Sequence, residues 1–349
     1  MRAWIEATAQ VEYHQVCSCM LALARAAIGR LASRDGDAGT APAGRPTLSE
    51  AKFAERSSAL RTAWLAAEQL VPGGGPLGRL GRLMRITSSF VEPVLLALAV
   101  APLLDRGVAR GYARLEPEPM TAGLLLDLAS ATEASRLALS GALHPDAALR
   151  RHALILAGDP DCVAAVGADT AIAVAPSVLS VLRCEPVPLP RGVEELAPVP
   201  IAGVAARVLE ALGVAPVQPG DVVVLAGSAA QSEALARLLA GASSALVWRL
   251  GLEDGAEPAW AGLMRDAALA NAICVVAATA GGTWLRRLRW AADRSLLPAL
   301  CVVPGNPVPA EVTPLVDVAA VVARADLAHA RALASDPVTA DLVARLVQR

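Results

Sequence analysis

Apolar residues recur at three- and four-residue intervals through the first half of the chain, then gather into short continuous runs between polar turns in the second. The first pattern predicts helices; the second predicts buried strands alternating with helices. Trp4, Ala7, Val11, Val16, Met20, Leu23, Ala27 and Leu31 give a helix over residues 1–34. The Gly, Pro and Asp of 35–46 break it as a linker would. A second helix over 48–70 has Thr47 and Glu50 at capping-box spacing and stops at the Pro-Gly run 71–76. These two helices show no chemistry and read as a hairpin or N-terminal extension. Leu80, Leu83 and Met84 predict a short helix. Ser88 or Ser89 is expected to cap the next, over 91–104, with Pro93 in its first turn, where a missing N–H costs nothing. Helices over 108–115 and 120–129 follow, the latter opening at Thr121.

The proline-rich stretch 184–200 predicts an extended linker. After it come a helix over 201–213, strands over 221–226, 244–250, 272–278, 299–303 and 316–322, and helices over 231–239, 260–270, 283–292 and 336–349. Such alternation implies a parallel sheet. The run AICVVAA at 272–278 reads as a strand buried on both faces. The expected division is an N-terminal helical extension over 1–75, a mainly α domain over 76–195 and an α/β domain over 196–349.

Composition narrows the chemistry. Hydrophobic residues make up 55% of 349 and mean hydropathy is +0.48, but aromatics are only 3%, so the core is built from many small side chains. No apolar run reaches the 18–20 or so uncharged residues that span a bilayer. Glu6 and Glu12 interrupt any apolar signal region, so a soluble, cytoplasmic protein is expected. A net charge of −2 gives no general reason to bind nucleic acid. Of the 31 basic residues Lys52 is the one lysine, which removes lysine chemistry from the second half. The six cysteines form no C-x-x-C pair and read as free thiols of a reducing compartment. Cys17 and Cys19 with His14 lack two further ligands for zinc, so no metal is expected.

Residues 221–239, DVVVLAGSAAQSEALARLL, have the strand, turn and helix layout of a phosphate-binding loop. In the pattern G-x-x-x-x-G-K-[ST] the glycines let backbone N–H groups close on phosphate while the lysine neutralises it. Here Gly227 and Ser228 open the turn, but Ser232 stands for the second glycine, Glu233 for the lysine and Ala234 for the Ser/Thr. A carboxylate at Glu233 would repel a triphosphate by several kcal/mol, to order of magnitude, in a partly desolvated loop.

Residues 88–128 carry a second signal through Phe90, Glu92, Leu95, Leu96, Ala97, Leu98, Ala99, Leu104, Asp105, Tyr112, Leu115, Thr121, Leu124 and Leu126. This stretch resembles the winged-helix region that precedes the AAA+ core in ATPases encoded with phage-tail-like contractile injection systems. It departs from that pattern at Leu103, where the family has Glu, and at Met120, where it has Pro. The resemblance implies a winged-helix-like domain followed by a degenerate AAA+, P-loop-like parallel sheet with flanking helices. It also implies two acidic residues after the third strand of the core, where Ala277 and Ala278 stand, and a polar sensor after the next, where Asn306 stands. Most of the helical lid that follows the sheet in the family has no counterpart before Arg349. These losses predict no catalytic residue, no ATP hydrolysis and no cofactor, with ATP and ADP disfavoured.

The expectation is therefore a non-catalytic accessory or scaffold protein in the assembly or cargo handling of a contractile injection system. Its partners would be proteins, an active AAA+ relative or injection-system components, with no membrane. Trp284, Arg286, Arg287, Arg289 and Trp290 form the candidate contact surface, since Trp and Arg dominate interface energetics. The alternatives are a weak nucleotide-binding subunit using the Gly227 turn, and a winged-helix DNA-binding regulator. For the latter, Arg79, Arg82 and Arg85, or Arg106, Arg110 and Arg114, would meet phosphates, but acidic neighbours interrupt both rows and DNA binding is not expected.

Overall fold

The computed structural model describes residues 2–36, 48–69, 76–87, 91–116, 119–157, 166–197, 199–215, 217, 221–252, 260–278, 288–289, 299–304 and 315–347. The chain is a mixed α/β protein, mainly helical, that divides into two compact units, Met1–Val187 and Pro188–Arg349.

The first unit contains α1 (Arg2–Gly36), α2 (Leu48–Glu68), α3 (Pro76–Ile86), α4 (Glu92–Leu104), α5 (Arg106–Leu115), α6 (Ala122–Ala129), α7 (Glu133–Ser140), α8 (Ala148–Arg151) and α9 (Pro176–Leu182). Two short strands, β1 (Ile155–Ala157) and β2 (Ile172–Val174), pair antiparallel, and Thr121 adds a bridge to Ala171. The sequence set α1 and α2 apart as an extension. In the fold α1 packs on α2 and also on α4, α5 and α6, with Tyr13, Val16, Met20, Leu23, Ala24 and Ala27 buried, so both helices belong to this unit's core. Val11–Ser33 of α1 is long and apolar enough to cross a membrane by length and composition alone, and it is this helix whose apolar stripe is buried against its neighbours.

Arg30 shows how α1 is locked in place. It is 2% exposed, it donates to the Leu128 carbonyl at 2.7 Å, and its guanidinium lies 3.9 Å from the Phe53 ring centroid. A cation at the carbonyl end of α6 is where the helix dipole favours one. The capping of α4 differs from expectation. Its N-cap position is Val91, which has no acceptor side chain, rather than Ser88 or Ser89. Asp105 and Thr121 cap α5 and α6 through Val108 N–H at 2.8 Å and Leu124 N–H at 3.2 Å. Thr47 lies outside the described residues.

The second unit begins with β3 (Val193–Leu196), inside the stretch expected to be a plain linker. It continues through α10 (Ala202–Ala211), β4 (Val222–Gly227), α11 (Ala229–Ala242), β5 (Leu246–Leu252), α12 (Trp260–Ala270), β6 (Ala272–Ala278), β7 (Ala299–Pro304) and β8 (Leu315–Asp317). It closes with α13 (Val318–Arg324), α14 (Leu327–Leu333) and α15 (Pro337–Val347). Among the described residues one sheet runs in the order β3-β5-β6-β7-β4-β8. The pairs β5–β6, β6–β7, β7–β4 and β4–β8 are parallel, and β3 lies antiparallel on the β5 edge. Leu225, Val247, Ile273 and Val275 are essentially inaccessible and, with Val223, meet Leu235, Leu238 and Leu239 of α11 in one core.

Several boundaries depart from the sequence reading here, β5 among them, which runs Leu246–Leu252 against the expected 244–250. The strand expected over 316–322 ends at Asp317, whose Oδ1 accepts from Ala320 N–H at 3.0 Å and so starts α13 from within the Val-rich run. Helix α11 begins at Ala229, two residues earlier than the pattern suggested.

Candidate functional site

In a sheet whose order is not sequential, ligands bind beyond the carboxyl ends of the strands where the crossovers diverge. The chain leaves β4 for the far side of the sheet at β5, returns through β6 to β7 beside β4, and passes over β4 to β8. The ends of β4, β7 and β6 therefore lie side by side. Gly227 pairs with Pro304, and Ala277 pairs with Val302. The candidate phosphate turn and the Ala277 and Ala278 positions thus meet one edge of the sheet. Asn306 lies outside the described residues.

The turn itself holds no loop. Only Ser228 separates Gly227 from the first residue of α11. Its Oγ accepts from Gln231 N–H at 3.3 Å and donates to Gln231 Oε1 at 3.0 Å, while its carbonyl accepts from Ser232 N–H at 2.9 Å. The N–H groups of Gln231 and Ser232, which a phosphate cradle would turn towards its ligand, are thus committed to the helix start. Gln231 Nε2 in turn donates to the Leu346 carbonyl at 2.9 Å, tying α15 to the same end of α11.

Little space remains beneath the turn. A Cβ built on Gly227 would stand 3.0 Å from Val318 Cβ and 3.2 Å from Ser232 Oγ. Ser232 is fully buried and its Oγ has no hydrogen-bond partner among the described residues. Ala234 is buried in the core beneath α11. The position read as the second glycine is therefore a packed helical residue, and Gly227 is the small residue that lets β8 and α13 approach.

Glu233 does not stand as a lone charge. Its Oε2 is 3.1 Å from Arg249 Nη1 on β5, and Arg249 Nη2 is 2.6 Å from Glu194 Oε2 on β3. Glu194 first, and Glu233 with it, raise the Arg249 pKa against partial burial. The repulsion expected between Glu233 and a triphosphate is thus reduced within the chain, though one guanidinium shared by two carboxylates leaves the cluster at a net charge of −1, and geometry closes the turn in addition to charge. Arg249 was legible as a lone cation in the apolar run LVWRLGL, a polar residue that must find a partner when its strand is half buried.

Ala277 and Ala278 occupy the last two positions of β6 rather than the positions after it, and they carry no carboxylate. Among the described residues no group of three His, Cys, Asp or Glu is placed to hold a metal. Burial pushes the Cys274 thiol up to about 12 and the Cys17 thiol up to about 11, Cys17 donating to the Leu182 carbonyl at 3.4 Å. Neither is a thiolate near neutrality, which removes them as nucleophiles. Of the candidate contact surface, Arg289 is helical and exposed, next to the buried Leu288. Trp284, Arg286, Arg287 and Trp290 lie outside the described residues.

No family model, curated protein or solved structure matches the chain.

Proposed function

We propose that the chain is a non-catalytic relative of the winged-helix and AAA+ ATPases of contractile injection systems, serving assembly or cargo handling through protein contacts. Two arrangements support the ancestry. The helices α4, α5 and α6 with the β1–β2 ribbon and the Thr121 bridge suit a winged-helix-like domain. The parallel order β5-β6-β7-β4-β8 brings together the strand ends that a phosphate loop, a metal site and a sensor would share.

The observation that carries the non-catalytic reading is the closed turn after β4, where only Ser228 separates Gly227 from α11 and Val318 and Ser232 fill the space beneath. A fold without its chemistry serves by its surfaces, and the protein-contact reading follows from that step.

The test is isothermal titration of the full chain with Mg-ATP and Mg-ADP, paired with a melting curve at saturating nucleotide. The expected result is no saturable heat and no shift. A nucleotide present at 100 times its Kd would stabilise the chain by about 2.7 kcal/mol, a readily measured shift. Saturable heat with such a shift would overturn the reading in favour of a weak nucleotide-binding subunit.

A further inference from the structure

We infer that a cleft in the first unit docks an acidic amphipathic segment of a protein partner. The cleft has a volume of about 640 Å³ and an apolar floor that includes Ala109, Tyr112, Ala113, Leu124, Ile172 and Leu179. That volume lies in the range that takes a ligand or a few anchoring side chains. Tyr112 is 5% exposed and its hydroxyl already donates to the Leu98 carbonyl at 2.9 Å, so it presents ring rather than polar surface.

The edge of the cleft is cationic. On a helix of 3.6 residues per turn Ala109, Tyr112 and Ala113 share one face of α5, and Arg106, Arg110 and Arg114 share the face adjoining it. All three arginines are exposed, and none has an ion pair among the described residues. The nearby Asp105 carboxylate is engaged by Arg25 at 3.1 Å and by its own capping bond to Val108. Arg183 adds a fourth guanidinium at the rim, donating at 3.2 Å to the carbonyl of Leu103, a lining residue that is 46% exposed. Glu116 is the one carboxylate among the described lining residues, and its Oε2 accepts from Thr121 Oγ1 at 3.2 Å.

Charge complementarity selects the occupant. Arg106 to Arg114 span eight residues, about 12 Å along the helix axis. A small ligand with a single carboxylate would meet one guanidinium of that row. A peptide with carboxylates on successive turns would meet all of them while its apolar face fills the cleft. A duplex phosphate backbone would use the arginines and leave the apolar floor empty, and a bilayer would need exposed apolar anchors beyond Leu103. The inference deepens the protein-contact reading and rests on it for the choice of a peptide. The nucleotide titration tests the closed turn separately, so the two can fail independently.

The experiment uses the full chain and a fluorescent synthetic peptide of Leu and Glu patterned as an amphipathic helix, followed by anisotropy. A Leu and Lys peptide of the same pattern and a short DNA duplex are run beside it. R106Q/R110Q/R114Q removes the charge row on an exposed face, and A113W fills the cleft without touching charge; each is checked by circular dichroism melting. Saturable binding of the Leu and Glu peptide alone is expected, weakened about tenfold or more by either variant, and salt weakens it in the parent chain and in A113W but not in R106Q/R110Q/R114Q. No saturable binding of that peptide, or binding that neither variant changes, overturns the inference. Arginine-dependent binding of the duplex in place of the peptide overturns it as well and assigns the row to nucleic acid.

Discussion

Glu233 is the residue on which the closed turn can be tested most directly. Glu233→Lys restores the lysine that a phosphate loop requires, yet α11 still begins at Ala229 and Val318 still fills the space under Gly227. The substitution also replaces the 3.1 Å ion pair with Arg249 by a second cation beside it. The side chains are 28% and 40% exposed, so the lost attraction and new repulsion together cost about 1–2 kcal/mol after solvent screening. The expected outcome is a lower melting temperature and still no heat with Mg-ATP; recovered nucleotide binding would show that charge rather than geometry closes the turn. Much of this site was legible in the sequence. The apolar run ending at Gly227 located the strand end, and Ser232, Glu233 and Ala234 marked the departure from the motif. The missing loop was less plain, because its polar residues resemble a turn. Ser228 followed three residues later by Gln231 is nevertheless a capping-box spacing, and that signal places the helix start at Ala229. No local pattern announces Val318, which reaches Gly227 only because β8 pairs beside β4.

Helices and strands were read well where their period was sustained, as in α1, α4, α12 and β6, and poorly where tertiary pairing decided the outcome. β3 is four residues long, flanked by prolines, and is held by its register Val193–Leu250 to Leu196–Val247 on β5, which no local pattern announces. The run 316–322 has strand composition, but Asp317 offers a cap and the chain turns helical. The same contest between local propensity and packing sets the sign of two glycine substitutions. Gly29 lies within α1 with nothing near where a Cβ would stand, so Gly29→Ala should stabilise the first unit by about 0.5–1 kcal/mol. Gly241 lies within α11, where propensity favours the same gain, but a Cβ there would overlap the ring of Pro200. A proline ring cannot swing aside as a flexible side chain can, so Gly241→Ala should cost about 1–3 kcal/mol. Urea unfolding of the two variants checks the pair; a gain at Gly241 would mean that Pro200 is not packed on α11.

The distribution of buried acids between the two units predicts how the whole molecule responds to alkali. Burial raises the pKa of Tyr13, with the neighbouring Cys184 and Cys17 adding to it, and burial alone raises that of Tyr112. Cys17 is held at about 11 by burial, and burial raises Cys19 and Cys184 as well, so three largely buried groups and two partly exposed ones lie in Met1–Val187. Cys274, at about 12, is the corresponding described group in Pro188–Arg349. A group whose folded pKa is raised contributes stability that is complete below its unfolded value and is lost as pH rises through the folded one. Unfolded Cys ionises near 8.5 and Tyr near 10, so the loss begins at about pH 8.5 and steepens above about 10. Each group adds up to about 1.4 kcal/mol per pH unit, and Arg82, whose pKa burial lowers to about 10, offsets one group's share above that pH, which leaves a loss of roughly 3 kcal/mol per pH unit for the first unit. The first unit should therefore unfold before the second, and a single stability for the whole chain is not defined there. The two tyrosines of the chain are both in the first unit, so tyrosinate absorbance reports on it alone. Tyrosinate should appear cooperatively, together with a partial loss of helical circular dichroism, and at a pH above the free-tyrosine value. Tyrosine titrating near pH 10, as a free residue does, with the helical signal intact would show that Tyr13 and Tyr112 are open to solvent and would overturn the packing of α1 and α5 around them.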